Sequence, residues 1–169
     1  MRPIIFALTM VMTICGFGLS PALAQAGQLA FKGLRAGGGQ PVEVTADQLD
    51  VNQQDATAVF TGNVVVIQGE MRLSSNNLVV TYVEGDKTKI DTLYATGNVL
   101  MSTSTEAAEA ETATYTLTSG RLEMQGRVLL TQDSGTISGE KLVVDLDTGI
   151  GTMEGRVKTI LQSGAKTTP

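Results

Sequence analysis

From Val42 onward, apolar and polar residues alternate with a period of two, the pattern of strands that bury one face. One apolar column reads Ala58, Phe60, Gly62, Val64, Val66. It returns as Leu93, Ala95, Gly97, Val99, Met101, then Leu122, Met124, Gly126, Val128, Leu130, then Gly151, Met153, Gly155, Val157, Thr159. Only Thr159 departs from it. The residues in between, such as Glu123, Gln125 and Arg127, are mixed and mostly polar, as a solvated sheet face requires. A second set of strands alternates through Leu49 and Val51, through Leu78, Val80 and Tyr82, through Ala113, Tyr115 and Leu117, and through Leu142, Val144 and Leu146.

These strands belong to a repeat. The column glycines Gly62, Gly97, Gly126 and Gly155 are spaced by 35, 29 and 29 residues, the first interval being long because "EGDKTK" adds six residues to one loop. Ahead of each glycine stands Asp47, Asn76, Glu111 or Glu140. Inward parity flips from even to odd between Ala46 and Leu49, so this polar column is expected to mark a bulge or corner where the chain passes from one sheet to another. The glycines, by the same parity, are expected on the inward face, where a missing side chain lets the strand bend or leaves room. Four 29-residue units with one apolar face each must bury those faces together. The expected fold is all-β: repeated short antiparallel strands forming a two-sheet β-jelly roll or a short, roll-like solenoid, over residues 41–162.

The first 24 residues read differently. Arg2, an apolar run from Ile4 to Leu19 and the small residues Ala22 and Ala24 have the layout of a secretory signal peptide, cleaved before Gln25. Cys15 lies inside it, behind a bulky Ile14 where an acylation site needs a small residue, so the mature chain has no cysteine and no disulfide. Residues 25–40 show no period and read as a flexible lead-in, in which Leu29, Phe31 and Leu34 could dock; residues 163–169 are a short tail. Without Arg2, eleven basic residues face seventeen acidic ones, a net charge of -6 that disfavours nucleic acid as a partner.

Little in the chain can do bond chemistry. There is no His, which removes the Ser-His-Asp and Cys-His arrangements and the usual zinc ligands. Asp147-Thr148-Gly149 spells the aspartic-protease triplet, but aligns with turns in the other units and reads as a turn. Glu106, Glu109 and Glu111 form an acidic patch, as do Asp145 and Asp147, and both read as solvated faces, not metal sites. A carbohydrate-cleaving roll would need paired carboxylates and aromatic platforms, and Trp is absent. The aliphatic column itself admits two readings: the packed core of a sandwich, or a gutter of slender side chains wide enough for alkyl chains.

The stretches "PVEVTADQLDVN", "ATAVFTGNVVVIQGEMRLSSNNLVV" and "ISGEKLVVDLDTGIGTMEGRVKTIL" resemble the LptA/OstA-like family of periplasmic lipopolysaccharide transport proteins. The resemblance covers about residues 41–162. It implies a twisted open β-jelly roll in the periplasm that carries lipopolysaccharide between the membranes without catalysis or cofactor. The acyl chains would lie in a hydrophobic groove, for which it points to Val42, Val44, Phe60, Val64, Val66, Val80, Val99, Tyr115, Leu117, Val128 and Leu130. Partners would be the membrane-anchored inner component, the outer-membrane translocon and further copies stacked head to tail. They would add strands near Pro41 to Ala46 and near Arg156 to Leu161. The short tail after Leu161 lacks a long C-terminal extension.

Overall fold

The computed structural model describes residues 29–30 and 40–161. The leader at 1–24, the tail at 163–169 and the lead-in, apart from Leu29, Ala30 and Gln40, lie outside the described residues. In chain order the strands are β1 (Leu29–Ala30), β2 (Glu43–Thr45), β3 (Gln48–Asn52), β4 (Thr57–Gln68), β5 (Met71–Val83), β6 (Asp86–Ser102), β7 (Glu106–Thr116), β8 (Arg121–Gln132), β9 (Gly135–Asp145), β10 (Ile150–Glu154) and β11 (Lys158–Leu161). Among the described residues the single helical piece is a 3₁₀ turn at Leu117–Ser119.

All pairing is antiparallel, in the order β1-β10-β9-β8-β7-β6-β5-β4-β2, with β3 also on β4 and β11 also on β9. Two strands share β4, and two share β9, because the long strands bend. Each of β4 to β9 begins in one sheet and ends in another. The first sheet holds β3, β10 and the segments pairing around Phe60, Leu78, Ala95, Ala113, Met124 and Leu142. The second holds β2, β11 and the segments pairing around Val66, Leu73, Met101, Ala108, Leu130 and Ile137.

The bend has one recurring geometry. Thr61 pairs with Asn77 and Val64 with Ser75, so Gly62 and Asn63 together oppose the single Asn76. Gly97-Asn98 opposes Glu111 in the same way, and Gly126-Arg127 opposes Glu140. Both residues of each pair lie at positive φ, 82° at Gly126 and 44° at Arg127, a double left-handed step that turns the strand sharply. The polar side chain of the preceding strand fills the space a Cβ would need: Asp47 at Gly62, Asn76 at Gly97, Glu111 at Gly126, Glu140 at Gly155. Three of these polar side chains also hold the residue after the glycine. Asn63 donates to Asp47 at 2.8 Å, Arg127 Nε to Glu111 at 2.9 Å, and Arg156 Nε to Glu140 at 3.4 Å.

Three expectations are corrected here. The glycines do not belong to the inward face, because their absent Cβ would strike an outward-facing corner side chain. Val157 is not buried with Val64, Val99 and Val128; it is 49% exposed, because among the described residues no strand lies beyond β11 at that end. The "EGDKTK" insertion makes no loose loop but lengthens the β5–β6 hairpin, with Val83 opposite Asp86 and shifted registers around Tyr82.

On the outer face of the first sheet, Glu123 gathers three donors: Lys141 Nζ at 3.0 Å, Gln125 Nε2 at 2.6 Å and Arg121 Nη2 at 3.5 Å. The Lys141 bond above all, with Gln125 and Arg121 assisting and slight burial opposing, lowers the carboxyl's pKa. A lowered folded-state value adds stability that is fully present above the ordinary glutamate value of 4.5 and is lost as pH falls through the lowered one. The Glu123 side chain keeps 24% of its area exposed at the surface, where solvent screens its pairs, so its contribution is under about 1 kcal/mol. Glu123→Gln should therefore flatten the loss of stability below pH 4.5, measured by urea unfolding across the acid range. An unchanged pH profile would refute this.

Candidate functional site

Register places the inward residues in rows that run across the strands. In the first sheet Leu49, Phe60, Leu78, Ala95, Ala113, Met124, Leu142 and Met153 are successive partners. Beside them run Val51, Ala58, Val80, Leu93, Tyr115, Leu122, Val144 and Gly151. The facing row of the second sheet is Val44, Val66, Leu73, Met101, Ala108, Leu130, Ile137 and Thr159. At about 4.8 Å per strand, each row extends about 34 Å.

All the residues singled out from the sequence fall in this interior. Val64, Val66, Val80, Val99, Val128, Leu130 and Tyr115 are buried, while Val42, Val44, Phe60 and Leu117 are half-buried and packed against them. The sequence reading left out Met71, Leu73, Ala108 and Ile137, which are equally buried. Their signal was present, since Met71, Leu73 and Ser75 alternate up to the Asn76 corner, as do Gly135, Ile137 and Gly139 before Glu140. Burial raises the Tyr115 phenol's pKa, with the Asp147 carboxylate adding to it, so the ring stays neutral within the apolar row.

Inside, the two sheets meet closely. A cavity of about 10 Å³ lies between them, lined by Val66, Met71, Leu78, Met101, Tyr115 and Leu122 among others. That is barely room for one water. A much larger concavity, about 650 Å³ beside Asn98, Glu109 and Arg127, is open, polar in part and lies on the outer corner ridge. The interior rows matter more than this groove because they are continuous and apolar along the whole sheet. Nothing polar locks them shut: among the described residues, no side-chain hydrogen bond or ion pair links the free rim of one sheet to that of the other. The sheets are joined along the corners and elsewhere held by apolar contact.

Both ends of the rows run out into solvent. Leu49 is 51% and Val51 62% exposed at one end, and Leu161 is 71% exposed at the other. Among the described residues the outer edges of β2, β3 and β11 carry no strand, whereas β10 is covered over two residues by β1, Leu29 opposite Gly151 and Ala30 opposite Ile150.

The acidic patch is divided by its strand. Glu109 and Glu111 are exposed, but Glu106 is only 9% exposed, correcting its reading as part of a solvated face. Strand parity sets Glu106 on the same side as Ala108, which is fully buried. The "DTG" triplet is a turn, as expected: Asp145 Oδ1 accepts from the Asp147 and Thr148 amides at 3.1 and 2.8 Å.

An uncharacterized protein of Rhizobium meliloti is 29% identical over 178 aligned positions, covering 97% of this chain and 96% of that protein. The lipopolysaccharide export system protein LptH of Pseudomonas aeruginosa is 32% identical over 136 positions, 76% of this chain and 75% of its own length. The crystal structure of LptH, the LptA-homologous periplasmic component of the lipopolysaccharide transport device of that organism, superposes with a TM-score of 0.66 over 73% of this chain and 96% of that one, at 22% identity. It shares the β-jelly-roll fold. The family described as LptA/(LptD N-terminal domain) LPS transport protein matches residues 43–150. Fold, repeat and this match together make the chain a member of the LptA/(LptD N-terminal domain) LPS transport protein family.

Proposed function

We propose that the protein is a periplasmic carrier of lipopolysaccharide, holding acyl chains between its two sheets and joining inner-membrane and outer-membrane components through its open ends. The observation that carries this reading is the set of apolar rows that run across strands β2 to β11 and emerge at both ends. Each methylene withdrawn from water contributes about 0.8 kcal/mol, so a multiply acylated lipid needs such a lining to cross an aqueous space. Loading requires the mouth to part along the corner hinge, replacing sheet-to-sheet contacts with sheet-to-chain contacts of the same apolar kind. The phosphates and sugars stay in water outside, where the protein's own acidity does not meet them. No bond is made or broken.

The bridging half of the reading rests on the edges of β2, β3 and β11, which no strand covers among the described residues, and on the apolar side chains exposed beside them. Strands of an anchored inner partner, of the translocon or of a second copy would extend each sheet, and the interior rows would continue from one molecule to the next.

A photo-crosslinking residue at Val66 or Tyr115 is expected to capture lipopolysaccharide, whereas one at Tyr94, on the outer face of the same sheet as Tyr115, is not. Adducts at Tyr94 alone, or at none of the three in folded protein, would leave the molecule a cargo-free scaffold.

A further inference from the structure

In three of the four units the inward column of the second sheet ends in a polar residue at the mouth. Six positions after each repeat glycine stand Gln68, Thr103, Gln132 and Leu161. Gln68 is only 5% and Glu106 only 9% exposed. Gln68 Nε2 donates to the Gln40 carbonyl at 3.3 Å, and Gln132 Nε2 donates to Glu106 Oε1 at 2.8 Å. The remaining oxygens, Gln68 Oε1 and Glu106 Oε2, are buried and have no donor among the described residues. Leaving buried acceptors unmatched is costly, the more so for a carboxylate, and two on one rim call for an occupant.

We propose that this rim is a ligand-recognition lip, on which Gln68 and Glu106 accept hydrogen bonds from N–H or O–H groups where the alkyl chains of a bound amphiphile join its head. The inference rests on the carrier reading and refines it. Chains lying on the Val66, Met101, Ala108 and Leu130 row reach the lip one pleat further out, where the inward column turns polar. Amide and hydroxyl groups at such a junction supply the missing donors. A phosphate supplies none and is repelled by a carboxylate, so the lip also orients the ligand, keeping its phosphates away from this side of the mouth.

The test compares two amphiphiles of equal chain length, N-tetradecanoylglucosamine, which carries amide and hydroxyl donors, and tetradecylphosphocholine, which carries none. Both are titrated below their micelle concentrations by calorimetry into wild type and the Glu106→Met, Gln68→Met and Glu106→Gln variants. Wild type should prefer the donor-bearing ligand. Each methionine variant should cut that preference about tenfold, and Glu106→Gln, which keeps a carbonyl oxygen, should retain part of it. The unliganded methionine variants should melt close to wild type, since each removes a buried orphan acceptor together with one hydrogen bond, to the Gln40 carbonyl or from Gln132. A ratio of affinities unchanged in both methionine variants overturns the lip while leaving the carrier intact. If wild type takes up neither amphiphile, the carrier reading falls and the lip with it.

Discussion

Gly126→Ala is expected to destabilise the fold by about 3 kcal/mol, clearly more than Gly85→Ala at about 1–2 kcal/mol. The two glycines have nearly the same backbone, φ +82° at Gly126 and +81° at Gly85. A side chain at either position incurs the left-handed penalty. Their surroundings differ. Nothing lies within 4 Å of the Cβ position at Gly85, a hairpin tip, whereas at Gly126 the Cβ, Cδ and Oε2 of Glu111 all lie at 2.7 Å. The Cβ of Glu111 is fixed to its backbone and cannot swing aside, so the corner must open and strain the Glu111–Arg127 pair. The difference between the two variants, read from urea unfolding, isolates crowding from conformation. Equal losses would mean that the corner acids do not press on the glycines.

Proline at the outer edge should separate association from folding. Consecutive residues of an edge strand send their N–H groups to opposite sides, one into the ladder and one into solvent. Thr159 and Ile160, paired with Ile137 and Thr136 on β9, are such neighbours. Of Thr159→Pro and Ile160→Pro, one removes a bond to β9 and costs stability, while the other removes only the donor offered to an incoming strand. The second should abolish concentration-dependent assembly in light scattering with stability changed by no more than about 1 kcal/mol. Assembly that survives both substitutions would place the contact elsewhere.

The sheets were legible because a period of two needs no tertiary information: the apolar column through Phe60, Val64 and Val66 states its own inward face. The corners were half legible. The polar strand carries one extra residue, such as Asn76, and flips parity, which alternation reveals. The glycine strand carries two extra residues, Gly62 and Asn63, so parity is restored and the glycine passes for an inward position. Met71 and Leu73 escaped notice because the run before the corner is too short to establish a period. Glu106 was misread because charge suggests solvent, and only its parity with Ala108 contradicts this.

The repeated two-against-one offset at the corners has a consequence for how such a molecule can vary in size. Each unit receives an edge with a given stagger and presents the same stagger to its successor, so a whole unit can be inserted or deleted without disturbing the registers on either side. A one-residue insertion within a bent strand, by contrast, would turn half of it inside out. Length is therefore quantised: the molecule can grow or shrink in steps of two strands, about 10 Å each, and the number of units acts as a ruler for the distance it spans.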